Sequence, residues 1–186
     1  MNIALVGRMY AGKTTVAEAL LPFGYKRVLM AGPLKALGRI AYGEDIQKDK
    51  VYETTDLETG QAVGKSGRQI LQGIGQSIKV VDRDIWLKIF INDTKDMGFE
   101  KYVVDDVRFG FEADYLRTQG WAIVFIDTPE ETRIDRAVAL TGKAPTREEL
   151  DHESEREVGD IEFDYRLEGD MPLEAVPNQA AFLADL

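Results

Sequence analysis

The sequence predicts an α/β fold in which helices cover both faces of a central parallel sheet. Short apolar runs that fit buried strands alternate with longer stretches that carry apolar residues at helical spacing. Polar or glycine-rich residues follow three of the predicted strands, at residues 7–14, at residues 105–108 and at Asp127. Ligands of such sheets bind beyond the carboxyl ends of the strands, so we expect one polar site at that edge.

The predicted elements account for almost the whole chain. Short apolar runs predict strands at residues 2–6, 25–30, 101–105, 121–126 and 163–167. The spacing of apolar residues between them predicts helices at residues 13–21, 33–42, 66–78, 83–96, 110–119, 130–140 and 172–186. Two polar stretches remain, residues 43–65 and 141–160, and we interpret them as mobile segments of a single domain that spans residues 1–186.

The composition excludes several classes of protein. Of the 186 residues, 44% are apolar and 30% are charged, which is ordinary for a globular chain and not for a disordered one. No apolar run approaches the ~18 residues of a membrane span, and the first residues do not form a secretory signal. We therefore expect a cytoplasmic protein with no membrane partner.

Charge and cysteine content narrow the chemistry further. The chain has no cysteine, and His152 is its only histidine, so disulfides, thiolate sites and metal sites with several histidines are excluded. The formal net charge of -10 argues against binding of a nucleic-acid polymer, which requires a basic surface. A small phosphate ligand needs only a local positive site and remains possible.

The most specific local signal is the segment Gly7-x-x-x-x-Gly12-Lys13-Thr14 between the first predicted strand and helix, which matches the P-loop pattern. Glycine at both ends allows close backbone approach, so that successive N–H groups and the helix N-terminus face phosphate oxygens. Lys13 would add a positive charge at the β- and γ-phosphates, and the Thr14 hydroxyl suits Mg²⁺. The alternative is a chance glycine turn beside an exposed lysine.

A P-loop occurs in GTPases, ATPases and small-molecule kinases, and the rest of the sequence favours a kinase. The chain lacks the Asn-Lys-x-Asp motif that reads guanine, and motor or helicase ATPases usually need more residues. A small kinase would use one polar segment, residues 43–65, on the acceptor side. The other, residues 141–160, would form a lid-like segment that closes over the phosphates and excludes water.

Four short motifs that follow the P-loop carry a family resemblance. They are Gly67-Arg68-Gln69-Ile70-Leu71-Gln72-Gly73-Ile74-Gly75, Asp84-Ile85-Trp86, Asp106-Val107-Arg108-Phe109 with Glu112, and His152-Glu153-Ser154-Glu155. In order and spacing they resemble the deoxynucleoside monophosphate kinases of bacteriophages. The chain departs from that pattern at Gln76-Ser77, Lys79 and Phe111, which leaves the base preference open.

The resemblance implies the three-layer P-loop kinase fold and transfer of the γ-phosphoryl group of ATP to a deoxynucleoside monophosphate. It also implies ATP as co-substrate, Mg²⁺ as cofactor and, for a phage-encoded protein, the host cytoplasm as location. A homodimer is compatible with the sequence. The alternatives are a P-loop kinase for another small metabolite and a regulatory module that binds a nucleotide without transferring phosphate.

We expect four overlapping groups of site residues. Catalysis is assigned to Lys13, Arg68, Asp106, Arg108, Arg133 and Arg136. ATP binding is assigned to Gly7, Arg8, Ala11, Gly12, Lys13, Thr14 and Thr15. Acceptor binding is assigned to Lys35, Arg39, Arg68, Gln69, Gln72, Trp86, Asp106, Arg108 and Glu112. Thr14, Asp105 and Asp106 are the candidate ligands of Mg²⁺.

Several of these assignments keep an alternative. Asp106 matches the family motif, whereas Asp105 better fits the length of the preceding strand. Arg133 and Arg136 share a helix face and would clamp the transferred phosphoryl group or pair with acidic neighbours. His152 would act as a base or only pack within the lid-like segment.

The acceptor residues also have structural alternatives. Arg68 would bind the acceptor phosphate through two hydrogen bonds or lie solvated at the surface. Gln69 and Gln72 would read base edges or form ordinary helix surface. Trp86 would stack on a base or pack in the core, which is the commoner role of an aromatic side chain.

Overall fold

The computed structural model describes residues 1–47 and 50–186. The chain forms two compact units: residues 1–29 with 94–186, and residues 30–93. Residues 48 and 49 of the predicted mobile segment 43–65 lie outside the described residues.

The described elements follow the predicted alternation of strands and helices. The strands are β1 Asn2–Val6, β2 Lys26–Val28, β3 Val51–Thr55, β4 Ala62–Ser66, β5 Tyr102–Val104, β6 Trp121–Asp127 and β7 Tyr165–Glu168. The helices are α1 Lys13–Leu20, α2 Gly32–Tyr42, α3 Gly67–Lys79, α4 Ile85–Asp96, α5 Gly110–Thr118, α6 Glu130–Thr141, α7 Arg147–Leu150, α8 Glu153–Glu157 and α9 Val176–Ala184. Short 3-10 turns cover Leu21–Phe23, Val158–Asp160 and Leu173–Ala175.

The first unit contains a five-stranded parallel sheet of order β2-β5-β1-β6-β7, flanked by helices. In the centre, Ala4 of β1 pairs with Val104 of β5 and with Ile123 of β6. Because these strands run in the same direction, the residues that follow β1, β5 and β6 meet at one edge of the sheet. The predicted α/β class and the parallel sheet are confirmed.

The core of this unit holds the helix that follows the P-loop. Val16, Ala17 and Leu20 of α1 are buried against a cluster that includes Ala180 and Leu183 of α9. Apolar burial of this kind is the main force that fixes an amphipathic helix on a sheet. The position of α1, and therefore of the phosphate loop before it, depends on this packing.

The second unit contains an antiparallel hairpin and the helices α2 and α3. In the hairpin, Val51 of β3 pairs with Ser66 of β4, and Tyr52 is buried and packs edge-on against Tyr42. Ser66 ends β4 and caps α3, since its hydroxyl accepts a hydrogen bond from the backbone N–H of Gln69.

The hairpin falls within residues 43–65, where the sequence predicts no core element. The signal that indicates it is the β-branched and aromatic run Val51-Tyr52-Glu53-Thr54-Thr55 with Gly60 in the following turn. The lid-like segment, residues 141–160, likewise contains two short helices, α7 and α8. None of the helices in the described ranges has both the length and the apolar character that crossing a membrane requires.

Candidate active site

The P-loop connects β1 to α1 at the carboxyl edge of the sheet. Gly7 approaches β6 so closely that a Cβ atom there would lie 2.8 Å from the carbonyl oxygen of Ile126. Gly12 has a φ of 103°, a conformation that strains a residue with a side chain, and α1 begins at the next residue. The first N–H groups of a helix have no carbonyl partner within it, so they are donors for phosphate oxygens.

Donors from the region after β6 hold the carbonyl groups of the loop. The Thr128 hydroxyl and the Arg136 guanidinium donate to the carbonyl oxygen of Ala11, at 2.8 Å and 3.1 Å. Arg133 donates to the carbonyl oxygen of Met9 at 3.5 Å. The two arginines lie on one face of α6, as the sequence predicts, and both contact the P-loop.

Arg133 is buried, unlike an arginine that contacts a ligand from the protein surface. Its side chain is buried, and it donates to the carbonyl oxygen of Thr128 and lies 3.6 Å from a carboxylate oxygen of Glu130. Burial lowers the pKa of the guanidinium, and the neighbouring charge of Arg8 acts in the same direction. The sequence analysis considered pairing of these arginines with acidic neighbours, and the pair Arg133–Glu130 is present. Contact of Arg133 and Arg136 with a transferred phosphoryl group stays a prediction.

Lys13 lies within the loop that it is expected to serve. Its Nζ donates to the carbonyl oxygens of Gly7 and Arg8, at 2.5 Å and 2.9 Å. Burial lowers the pKa of this amine from 10.5 to about 8, and the charge of Arg108 contributes in the same direction. A phosphate group would favour the charged amine and reverse this shift.

Thr14, Asp105 and Arg27 form a hydrogen-bonded group beside the loop. The Thr14 hydroxyl donates to Oδ2 of Asp105 at 2.7 Å. Arg27 of β2 binds both carboxylate oxygens, with Nε 3.0 Å from Oδ1 and Nη2 2.8 Å from Oδ2. The Asp105 side chain is only 2% exposed, so this bidentate pair lies in a largely desolvated setting. The sequence reasoning did not single out Arg27.

The same group offers oxygen atoms of the kind that bind Mg²⁺. The described residues contain no set of three or more acidic or histidine side chains that could hold a metal ion. Mg²⁺ in nucleotide sites commonly takes one or two protein ligands and completes its shell with water and phosphate oxygens. Thr14 and Asp105 fit that arrangement. Asp106 is half-buried one residue further on, and the choice between Asp106 and its rival Asp105 as the metal ligand stays a prediction.

Arg108 and Glu155 form a second charged group next to the loop. Oε2 of Glu155 accepts a hydrogen bond from the backbone N–H of Met9 at 2.7 Å. Its other oxygen lies 3.7 Å from Nη1 of Arg108. Burial lowers the pKa of Lys13 most, and the charge of Arg108 lowers it further, so the Arg108 guanidinium lies near the P-loop. Arg108 thus forms a salt bridge beside the loop, and the role of Glu155 was missed from the sequence.

A cavity of about 530 Å³ extends from the P-loop toward the last helix. One end is formed by loop residues and the start of α1, including the predicted ATP ligands Ala11, Gly12, Lys13, Thr14 and Thr15. The other end is lined by Leu140, Met171, Leu173, Val176 and Gln179. Its size and mainly apolar walls suit a nucleoside attached to the phosphates. The sequence reasoning missed these wall residues, because they follow no recognised motif.

The acceptor residues of the second unit lie on α2, α3 and α4. Lys35, Arg39, Arg68 and Gln72 are exposed, so their side chains are accessible to a ligand. Gln69 instead accepts a hydrogen bond from the backbone N–H of Ser66 at 2.8 Å, which gives it a helix-capping role.

Trp86 and Glu112 also have structural partners. The indole Nε1 of Trp86 donates to the carbonyl oxygen of Gly75 at 3.1 Å, and the ring is half-buried. In the first unit, Oε2 of Glu112 accepts from the backbone N–H groups of Arg108 and Phe109 at the start of α5. Trp86 and Glu112 therefore have structural roles in their own units, and contact of either side chain with an acceptor stays a prediction.

The shifted pKa of Lys13 is testable by trace labelling. We expect acylation of Lys13 to rise through a midpoint near pH 8, because the folded protein loses the amine proton there rather than near 10.5. ATP should move the midpoint to higher pH, since phosphate stabilises the charged amine. Quantitative mass spectrometry measures both midpoints, with a free lysine derivative as standard. A midpoint near that of the standard without ATP would contradict the prediction.

The Arg27–Asp105 pair is testable by a double-mutant cycle in urea unfolding. Asp105→Asn should lower the free energy of unfolding by about 2–3 kcal/mol, because it leaves a guanidinium without its buried partner. With Arg27→Gln, the coupling energy should be about 1–2 kcal/mol. The matched control is the exposed pair Arg147–Asp151, 2.8 Å apart, whose coupling should stay below about 0.5 kcal/mol. Equal coupling in the two cycles would refute the assignment.

Comparison with known proteins finds a family match for the middle of the chain. Residues 61–151 match the family model of deoxynucleotide monophosphate kinase. The match covers just under half of the chain and extends from the start of β4 to the residue after α7, so it includes Arg68, Asp105 and Arg108. No curated protein sequence matches the chain significantly.

Solved structures share the fold over nearly the full chain. A shikimate kinase from Aquifex aeolicus vf5 is 18% identical, with a TM-score of 0.54, and the match covers 100% of this chain and 96% of that one. A gluconokinase from Sinorhizobium meliloti 1021 is 17% identical, with a TM-score of 0.56 and coverage of 99% and 93%. The tunicamycin resistance protein of Deinococcus radiodurans is 12% identical, with a TM-score of 0.59 and coverage of 100% and 95%.

These identities establish the fold and not the substrate. The P-loop geometry and the family match supply the chemical class, since both point to phosphate transfer involving a nucleotide. The chain is a phosphotransferase with the P-loop kinase fold, and its residues 61–151 are similar to the deoxynucleotide monophosphate kinase family.

Proposed function

We propose that the protein transfers the γ-phosphoryl group of ATP to a deoxynucleoside 5′-monophosphate, giving ADP and the deoxynucleoside diphosphate. The observation that carries the proposal is the match of residues 61–151 to the deoxynucleotide monophosphate kinase model in a chain whose P-loop is complete. The matched residues contain the predicted acceptor set from Arg68 to Glu112. The P-loop supplies the donor site.

On the donor side, the cavity beside the P-loop would hold ATP. Its phosphates would meet the N–H groups at the start of α1 and the amine of Lys13. The apolar end of the cavity, near Leu140 and Leu173, would take the adenosine. Thr14 and Asp105 would hold Mg²⁺, which when bound neutralises charge on the phosphates.

On the acceptor side, Arg68 is assigned to the monophosphate. It is exposed at the second position of α3, where a planar guanidinium can form two hydrogen bonds to one phosphate. Gln72 lies one turn further along the same helix and would contact the base. Lys35, Arg39 and Trp86 remain proposed contacts of the acceptor. Gln69 is a weaker candidate because its side-chain oxygen caps α3.

Catalysis in such a site depends on positioning and charge. The attacking oxygen is already ionised in a nucleoside monophosphate, so phosphoryl transfer needs neutralisation of charge more than a general base. Lys13 and Arg108 would supply positive charge on the donor side. The lid-like segment, residues 141–160, would exclude water as a competing acceptor. This account gives His152 no catalytic step.

A kinase for another small metabolite is the second candidate. The fold is shared with proteins described as a shikimate kinase and a gluconokinase, whose names refer to non-nucleotide acceptors. A regulatory module that binds ATP without transfer is the third candidate. The same acceptor screen separates the three.

The acceptor screen measures diphosphate formation by anion-exchange chromatography with ATP, Mg²⁺ and each of the four common dNMPs. We expect at least one dNMP to give its diphosphate with stoichiometric ADP. Turnover of only a non-nucleotide alcohol would establish the second candidate. Tight ATP binding with no transfer to any acceptor would establish the third.

Lys13→Ala should lower kcat by about 100-fold or more, because it removes a fixed positive charge from the transferring phosphoryl group. Circular dichroism should show an unchanged fold. The matched control is Lys95→Ala, which removes an exposed lysine from the last turn of α4 and should keep normal turnover. Near-normal kcat in Lys13→Ala would refute the phosphate assignment.

Arg68→Ala should raise the KM for the dNMP about tenfold or more, since two charged hydrogen bonds are lost, and leave the KM for ATP nearly unchanged. Steady-state kinetics with each substrate varied separately measures the two KM values. Lys65→Ala removes an exposed cation from β4 of the same unit and is the control. An Arg68→Ala variant that changes only the ATP constant would contradict the acceptor role.

A further inference from the structure

Glu155 is a buried carboxylate placed among basic side chains at the P-loop. It is 5% exposed, although it belongs to the short helix α8 in a largely exposed segment. One oxygen binds the backbone N–H of Met9 at 2.7 Å, and the other lies 3.7 Å from Arg108. We name Arg8, Lys13, Arg108 and Arg133 the basic cluster.

Members of the basic cluster influence one another, and Lys13, Arg108 and Arg133 interact with the charge of this carboxylate. Burial lowers the pKa values of Lys13 and Arg133, and a neighbouring arginine adds to each shift. The charge of Glu155 acts in the opposite direction on both groups. The guanidinium of Arg8 lies beside Gly159, just after α8, with Nη2 3.2 Å from where a Cβ atom of that glycine would be. Glu155 therefore neutralises part of a dense positive charge.

The groups that hold Glu155 are those a phosphate needs. These groups are the backbone N–H of Met9 in the P-loop and the Arg108 guanidinium, and both are preferred partners of phosphate oxygens. The charge of Lys13 lies close enough to interact with the same carboxylate. A carboxylate and a phosphate at one such place repel each other strongly, because the setting is only partly solvated. The two anions therefore compete for the basic cluster.

We infer that Glu155 is an internal counter-ion of the phosphate site, which occupies the basic cluster in the nucleotide-free protein and is expelled when the ATP phosphates bind. The inference rests on the proposed function, since it takes ATP as the donor. Expulsion breaks the contact between α8 and Met9 and frees Arg108 for the phosphoryl group. Nucleotide binding would thereby change the position of the lid-like segment.

The position of Glu155 in α8 couples its carboxylate to the lid-like segment. Helix α8 starts immediately after His152, whose carbonyl oxygen accepts the backbone N–H of Glu155 at 2.8 Å. The side chain that contacts the P-loop is therefore fixed to the first turn of that helix. Expulsion of the carboxylate is therefore expected to move that turn as well.

Glu155→Gln tests the counter-ion because it removes the charge and keeps nearly the same shape. We expect the variant to bind ATP about tenfold more tightly than wild type, since the repulsion between anions is gone. Inorganic tripolyphosphate should show the same gain, because the effect acts on the phosphates. Isothermal titration calorimetry measures both affinities. Equal or weaker binding by the variant would overturn the inference, and a purely structural role predicts that result.

The matched control is Glu148→Gln, which makes the same chemical change at an exposed position of α7 in the same segment. Its ATP affinity should equal that of wild type. An equal gain in this control would attribute the effect to net charge and overturn the inference. Wild-type protein that binds ATP but phosphorylates no dNMP would refute the proposed function and leave the counter-ion intact.

Hydrogen exchange of the wild-type protein provides a test without a variant. Amides of α8 should exchange faster when ATP is bound, because the contact with Met9 is lost. Slower or unchanged exchange in α8 with saturating ATP would overturn the inference. Amides of residues 113–118 in α5, which lie outside the cavity, serve as the internal control and should not respond.

Discussion

The shape of the P-loop depends on hydrogen-bond donors that bind its carbonyl oxygens. A loop that presents its N–H groups to a ligand has carbonyl groups that need partners elsewhere, because buried backbone groups are rarely left unpaired. Thr128 and Arg136 donate hydrogen bonds to the carbonyl oxygen of Ala11, and Arg133 donates to that of Met9. All three donors lie in the region that follows β6. The parallel pairing of β1 with β6 puts these donors beside the loop. The sheet therefore determines the shape of the phosphate site as well as its location.

The site reconciles an acidic chain with an anionic ligand through local pairing. The formal net charge is -10, yet Lys13 and Arg133 lie close enough to other cations for those charges to act with burial in lowering their pKa values. Each side of the loop contains an opposite charge, Glu155 near the phosphate positions and Arg27 at the proposed metal position. A protein without ligand avoids unpaired buried charge in this way, and the ligands then compete with internal ions.

The sequence predicted the parallel sheet and the P-loop because both leave local signals, a regular alternation of apolar runs and a fixed spacing around Lys13. It did not predict the hairpin β3–β4, whose polar strands resemble a loop in composition. Glu155 could not be assigned by local reasoning, since it lies 146 residues from its partner Met9. Arg27 is 78 residues from Asp105 for the same reason. Contacts of this range depend on the folded chain.

The two tryptophans of the chain fall in different units. Trp121 is buried in β6 of the first unit, and Trp86 is half-buried in the second, with its indole bonded to Gly75. Each ring is thus an optical probe native to one unit. Replacing either tryptophan by phenylalanine would leave a single fluorophore, whose emission would report on the first or the second unit separately. The response of each unit to an added nucleotide could be followed from such signals without any attached dye.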